Sequence, residues 1–434
     1  MSEMFEIAYA AATNRLCFFT GTGFSKSVTE NQAPSWQGLL EELCGLLPES
    51  DALKDSLFPE DEVSPLSLEE AAQVISIKLS SVEKNIHKEI SKIIGNVSLS
   101  ANNGLLFEFF SNREFSIVTT NYDKLAEELT ADNPCHSITP GLPIPKSPAN
   151  VKIYHVHGSI DSPQNMVVTS EDYFRFINGN SYFSRKLSTV LHENTVVILG
   201  YSLGDTNLKA ILSDYKGFSK SHVVGSNIFL ISKSTVNQHV KDYYSYCYGI
   251  RVLDDLEIHE FFEKLNGQIP KVERIAEKSL KSIRKVVHDG NHFKEAYLKL
   301  EDSFYRILSA ISAEGLSLND PRVVKVIGEV IETKNQLTHE SNAWEQYEHL
   351  ARWLIYLGTI FEIESTSIQD KYLEATLRSM ITMSKKLYLG YSWHAYQSWE
   401  KRWSSIIASN RFIIKKYIED NTSWSPALSV VNSI

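Results

Sequence analysis

Between residue 15 and about residue 265, short apolar runs recur, and each stops at a polar, turn-forming residue. The runs are 16–19 before TGTGFS, 117–118 before TTNYD, 151–156 before HGS, 196–199 before GYSLGD, and 228–231 before SKS. Continuous apolar runs separated by helix-length segments predict parallel strands with crossover connections, buried on both faces. Their polar ends then fall along one edge of the sheet. Ligands of open α/β sheets bind at that C-terminal edge, so the strand ends become candidate site segments on topology alone.

The intervening segments differ in character. Residues 35–110 show helical spacing in Leu39, Leu40, Leu43, Leu46 and Leu47 and again in Ala71, Ala72, Ile75 and Leu79, which predicts a helical insertion above the sheet. Residues 134–148 carry Pro134, Pro140, Pro143, Pro145 and Pro148, which disfavour helix and predict an extended surface loop, either a strap over a ligand or a connector. From about residue 271 only Pro321 and Pro426 interrupt the chain. Apolar residues there recur at helical spacing, as in Trp344, Tyr347, Ala351, Leu354 and in Trp399, Trp403, Ile406, Ile407. The expected organisation is an α/β domain at 1–268, with a Rossmann-like parallel sheet and a helical insertion, followed by an all-α domain at 269–434.

A chain of 434 residues exceeds what one core usually serves, in keeping with two domains. Its 43% apolar and 22% charged residues exclude a mainly disordered or collagenous protein. The net charge of −10 divides into −12 over the first 270 residues and +2 over the rest; so acidic a first part is a poor match for phosphate-rich nucleic acid, and direct nucleic-acid binding is not expected. The absence of a long apolar run and of a basic-then-apolar N-terminus predicts a soluble cytoplasmic protein without membrane contact. Cys17, Cys44, Cys135 and Cys247 form no CxxC pair, so reduced thiols are expected and no metal site.

Four strand ends carry candidate chemistry. Gly21-Thr22-Gly23 between a strand and a helix would present backbone N–H groups to a phosphate, although GxxxxGK[ST] is absent and Lys26 stands where a GxGxxG loop would close. In TTNYD, Thr119, Thr120, Asn121 and Asp123 sit where a buried strand ends; they either cap the next helix or face a ligand. His155 and His157 alternate on a strand and so share a face. Gly158 permits close approach by a ligand or another backbone, and a histidine at this edge is placed to act as a base. In GYSLGD, Gly200 and Ser202 suggest a second anion-cradling turn, with Asp205 as a helix cap or a ribose acceptor.

In this order, the four segments resemble the sirtuin nicotinamide-dinucleotide fold, in its bacterial branch associated with anti-phage defence. GTGFS resembles the family's Gly-Ala-Gly-x-Ser loop, TTNYD its Thr-Gln-Asn-x-Asp, the HG of VHGS its catalytic His-Gly, and GYSLGD its Gly-x-Ser turn. The resemblance covers about residues 10–265. It implies that Asn121 holds the nicotinamide ribose and orients a water, with His157 as base or ribose partner. Thr20, Gly21, Gly23, Ser25, Thr120, Gly200, Ser202 and Asp205 would surround the rest of the dinucleotide, and Asp123 would fix the nicotinamide end. Thr120 and Tyr122 depart from the usual Gln and small apolar residue.

Sirtuins that deacetylate proteins carry a zinc ribbon of paired cysteines between the His-Gly and the Gly-x-Ser turn. The corresponding interval here, 159–199, contains no cysteine. The resemblance therefore implies an NAD+ hydrolase, taking NAD+ as substrate and releasing nicotinamide and ADP-ribose, that depletes NAD+ on phage infection. A sensor that binds the nucleotide without cleaving it, or a protein deacylase, are the alternatives. Because unrestrained cleavage would kill the cell, the aromatic helical half is expected to mediate homo-oligomerisation or to dock an activating protein encoded nearby.

Overall fold

A computed structural model describes residues 2–48, 50–59, 64, 66–178, 182–201, 227–385 and 390–433. Among the described residues, seven strands form one sheet in the order β3-β4-β2-β1-β5-β6-β7, every neighbouring pair parallel. They are β1 (Leu16–Thr20), β2 (Phe115–Thr119), β3 (Cys135–Ile138), β4 (Val151–His155), β5 (Thr195–Leu199), β6 (Ile228–Ile231) and β7 (Ile250–Leu253). Five of these are the apolar runs. All five residues of β1 are buried, as a central parallel strand covered on both faces requires. Strand order reverses beside β1, with β2 on one side and β5 on the other, which places the topological switch point at the ends of β1 and β5.

The two edge strands depart from the sequence reading. The proline-rich segment begins with β3, which among the described residues pairs with β4 alone and is mostly half-buried, so its period carries little apolar signal. β7 contains Arg251, which is 8% exposed, donates to both Glu6 carboxylate oxygens at 2.7 and 2.5 Å and lies 4.2 Å from the centroid of Phe229. A charged residue inside a strand reads from sequence as surface; here the carboxylate and the ring compensate its burial.

Alternate residues of the strands feed two cores. Leu16, Phe18, Ile117, Ile153, Val197 and Phe229 face a large core with Phe109, Phe110, Phe261 and Phe262. Cys17, Phe19, Val118, Tyr154, Ile198 and Leu230 face a smaller one. The large core continues without interruption into the helical half, through Leu308, Ile327, Trp353, Leu354 and Trp399. The N-terminal helix Ser2–Ala12 packs on the helix Ile258–Asp289, where Tyr9 Oη donates to the Ala276 carbonyl at 3.2 Å. Residues 268 and 269 lie inside that 32-residue helix, with Pro270 in its interior. Among the described residues, no helix is long and apolar enough to cross a membrane.

A third core lies above the sheet edge. Leu39, Leu40, Leu43, Ala71, Ala72, Ile75, Leu79, Ile86 and Ile90 come together from the helical insertion, along with Tyr122, Met166 and Val168. Ser67 and Glu70 form a reciprocal capping box at the start of the helix Leu68–Ser80, a local signal legible in the sequence. Tyr122 anchors this layer to the end of β2: its hydroxyl donates to the Val167 carbonyl at 2.6 Å and its ring meets Trp36 edge-on at 6.1 Å.

Candidate functional site

Thr20 ends β1 buried, and the chain then turns through Gly21-Thr22-Gly23 into the short helix Thr22–Val28. Contrary to expectation, most of this turn's amides are committed within the protein. Gly21 N donates to Leu199 O at 3.1 Å, Gly23 N to Gly200 O at 2.7 Å, and Phe24 N to Gly21 O at 2.9 Å. The glycines serve this contact. Gly200 has φ +60, and a Cβ there would sit 1.9 Å from Phe24 N, while one on Gly23 would sit 2.8 Å from Gly200 Cα. The β1 and β5 turns thus pack backbone on backbone at the switch point, with Lys26 as a nearby positive charge lining the same space.

From β2 the chain passes Thr120 and reaches Asn121, which is fixed on several sides. Its main-chain N donates to Thr119 Oγ1 at 3.1 Å; its side-chain Nδ2 donates to Gly21 O at 2.9 Å and to Ser25 Oγ at 2.7 Å. Because Gly21 O can only accept, the orientation of the amide is set, and its Oδ1 is the atom left to act as acceptor. Ser25 Oγ donates on to Asp123 Oδ2 at 2.7 Å, and Leu125 N donates to Asp123 Oδ1 at 3.2 Å. Burial raises the Asp123 carboxyl above the usual range, against these hydrogen bonds. Asp123 therefore acts here both as the acceptor for Ser25 and as a turn residue before the helix Leu125–Thr130.

The two histidines separate, because β4 ends at His155 and the chain turns after it. His155 is fully buried, with Nδ1 3.2 Å from Asn121 O and Nε2 2.8 Å from Glu127 Oε1. His157 is 4% exposed, meets Tyr173 and Phe176 edge-on at 5.3 and 5.4 Å, and lines the cleft. Gly158, at φ +88, admits another backbone: a Cβ would meet Met166 Cα at 2.8 Å, and Val167 N donates to His157 O at 2.8 Å.

A cleft of about 1180 Å³ opens over the switch point. It exceeds the ~300–1,000 Å³ of ordinary small-molecule sites and can take an extended two-part ligand. Gly23, Ser25, Thr120, Asn121, Asp123, His157 and Gly200 all line it. Its roof comes from the helical insertion, through Trp36, Leu39, Leu68 and Val97, and not from the proline-rich segment, none of whose residues line it. At the β6 end lie Ser232, Thr235, Asn237 and Tyr244, which sequence reasoning did not single out; the SKS turn after an apolar run was their signal. Ser202 and Asp205 lie outside the described residues. Among the described residues, no group of three or more His, Cys, Asp or Glu side chains could hold a metal ion.

A seven-stranded parallel sheet with paired glycine turns at its switch point and a roofed cleft above defines a Rossmann-like α/β fold. Residues 116–253 match the family model of the SIR2-like domain. It is 26% identical to the NAD(+) hydrolase ThsA of Cytobacillus dafuensis over 217 residues, 48% of this chain and 39% of that protein. It is 34% identical to the NAD(+) hydrolase ThsA of Enterococcus faecium over 104 residues, 23% and 22% of the two chains. Defense-associated sirtuin 2 of Bacillus subtilis is 21% identical over 259 residues, 57% and 24%. The chain thus matches well under half the length of each of these relatives.

Proposed function

We propose that this protein hydrolyses NAD+ at the bond between nicotinamide and ribose, giving nicotinamide, ADP-ribose and a proton. The observation that carries this reading is that Asn121 and His157, from the ends of two adjacent strands, line one cleft at the sheet's switch point. The names of the relatives support the same substrate, and the defence role of the activity follows from them as part of the proposal.

The chemistry asks little of the protein. The nicotinamide ring already carries a positive charge and leaves as a neutral molecule, while the ribose passes through an oxocarbenium-like state that water captures. Asn121, with both Nδ2 hydrogens engaged, offers Oδ1 to orient that water or a ribose hydroxyl. His157 accepts the proton, directly or through the ribose hydroxyls. Asp123 holds the nicotinamide end, and Ser25, Gly21, Gly23, Thr20, Thr120 and Gly200 shape the rest of the site. Ser202 and Asp205 complete the dinucleotide contacts in this proposal.

Residues 1–268 form the catalytic unit and 269–434 the part that assembles with further copies or docks an activator. Trp353, Trp399 and Trp403 are buried in the core, so any such contact falls to exposed residues such as Trp344 and Phe412, 58% and 68% exposed. The test incubates purified protein with NAD+, with and without its phage trigger, and follows nicotinamide by chromatography. Asn121→Ala and His157→Ala are each expected to lose at least about a hundredfold in kcat. Turnover persisting in both would overturn the site; binding without turnover under every condition would make the protein a sensor.

A further inference from the structure

We propose that His155, as a buried imidazolium paired with Glu127, is the positioning residue that fixes Asn121 for this reaction. The inference rests on the hydrolase reading but is carried by donor and acceptor counting. A neutral imidazole has one N–H and one lone pair. His155 Nδ1 faces the main-chain oxygen of Asn121 at 3.2 Å, and Nε2 faces Glu127 Oε1 at 2.8 Å. Both partners are acceptors when Glu127 is ionised, so either neutral tautomer would set a lone pair against an oxygen. Only the doubly protonated ring satisfies both.

Glu127 is ionised. Burial opposes its charge, but His155 and Lys124 bring its carboxyl down to about 2. Lys124 Nζ lies 2.7 Å from Glu127 Oε1 and 2.5 Å from Asp161 Oδ2, so two cations and two anions alternate along this path. The remaining ionisable neighbours are Asp123, Glu128 and, on β3, the Cys135 thiol, each of which interacts electrostatically with Glu127. Glu127 Oε2 has no hydrogen-bond partner, which leaves the two cations on the other oxygen to balance the buried charge.

Geometry gives this pair its role. Asn121 is held at its main-chain N by Thr119 Oγ1 and at its side chain by Gly21 O and Ser25 Oγ. The His155 Nδ1–H holds the main-chain oxygen, the one remaining handle that sets how residue 121 enters the cleft. With all four in place, Oδ1 is aimed before substrate arrives, the preorganisation on which catalytic positioning depends.

Ring-nitrogen NMR of the full chain, with the His155 resonances assigned by their loss in His155→Gln, tests the protonation directly. Both His155 nitrogens are expected at protonated shifts near neutral pH, and Glu127→Gln is expected to return one to the unprotonated position; an unprotonated nitrogen in the wild type overturns the proposal. In kinetics, His155→Gln is expected to lower kcat for NAD+ cleavage at least tenfold with KM changed less than threefold, and Glu127→Gln, which leaves an Nδ1–H available, to lower it less. Unchanged kcat in a folded His155→Gln also overturns it. If the wild type binds NAD+ without cleaving it, the hydrolase reading fails separately. The ring-nitrogen shifts then decide the proposal alone, and an unprotonated His155 nitrogen in the wild type still overturns it.

Discussion

Asn121 and Ser25 are joined by a 2.7 Å hydrogen bond from the side-chain amide of the first to the hydroxyl of the second, across the gap between β2 and β1. The hydroxyl has one hydrogen, and it goes to Asp123. Ser25 therefore couples the residue proposed to hold the ribose to a buried carboxyl proposed to hold nicotinamide. Replacing it by alanine removes an acceptor from Asn121 and a donor from Asp123 together. Ser25→Ala is expected to cost about 1–3 kcal/mol of stability, from the unsatisfied buried groups, and roughly tenfold to a hundredfold in kcat. Thermal unfolding and nicotinamide release measure the two effects. Wild-type kcat in the alanine variant would show that Ser25 does not orient the amide.

Gly200 and Gly267 should respond in opposite ways to the same added methyl group. At Gly200 the φ of +60 is strained for any residue with a Cβ, and that atom would overlap Phe24 N at 1.9 Å. Gly200→Ala is expected to destabilise by at least about 2 kcal/mol and to abolish dinucleotide binding, since the β1 and β5 turns must part. At Gly267, inside the helix Ile258–Asp289, an added Cβ meets nothing within 4 Å. Gly267→Ala is expected to stabilise by about 0.5–1 kcal/mol through helix propensity alone. Urea unfolding of both variants checks the pair.

The contrast between those glycines also marks how far the sequence can be read. Runs such as LCFFT and TVVIL announce strands because a parallel strand covered on both faces has no polar alternative, and the order of GTG, TTN, HG and GYS orders the site segments. What stays hidden is non-local. The commitment of Gly23 N to Gly200 O depends on two turns nearly 180 positions apart, so a glycine loop that looks like a phosphate cradle serves backbone packing as well. His155 lies 28 residues from Glu127, and nothing near either residue signals the partnership. Arg251 disguises β7 for the same reason, its carboxylate partner lying at the other end of the domain. Tyr122, by contrast, is a visible departure from the resemblance, and the helical layer it anchors supplies the physical reason.

Lys334 sits fully buried in the helical half, where its ammonium donates to Leu298 O at 2.8 Å and Gln346 Oε1 at 2.6 Å and lies 4.2 Å from the centroid of Trp353. Burial lowers it to about 7, with Glu345 and Glu301 only partly offsetting that. Between that value and the ~10.4 of an unfolded lysine, the unfolded chain holds the extra proton, so this group makes stability rise with pH across the window. The slope is at most about 1.4 kcal/mol per pH unit. Lys334→Met should remove that contribution. Unfolding free energies of both proteins at pH 7, 8 and 9 measure it, and parallel profiles would contradict a lowered Lys334.

Asp172 gives the opposite dependence and ties the roof of the cleft to its far wall. Its Oδ2 lies 3.2 Å from His87 Nε2, on the insertion helix Ile86–Ile94, and accepts from Thr169 N at 3.1 Å and Thr169 Oγ1 at 2.9 Å. Asp172 N donates back to Thr169 Oγ1 at 3.3 Å, a reciprocal cap on the helix Ser170–Asn178 that carries Tyr173 to the His157 ring. Burial would raise this carboxyl, but His87 and the Thr169 groups hold it at about 2. A depressed folded value means that the stabilisation is complete above the unfolded value near ~3.9 and fades as pH falls toward 2. Asp172→Asn is therefore expected to cost about 1–2 kcal/mol at neutral pH and to converge on the wild type by about pH 2, as read from acid titration of the folded fraction. It should also raise KM for NAD+ more than it lowers kcat, because the roof loosens while Asn121 and its hydrogen bonds stay in place. A cost that persists undiminished at low pH would mean that the pair with His87 and the cap contribute nothing that depends on the charge.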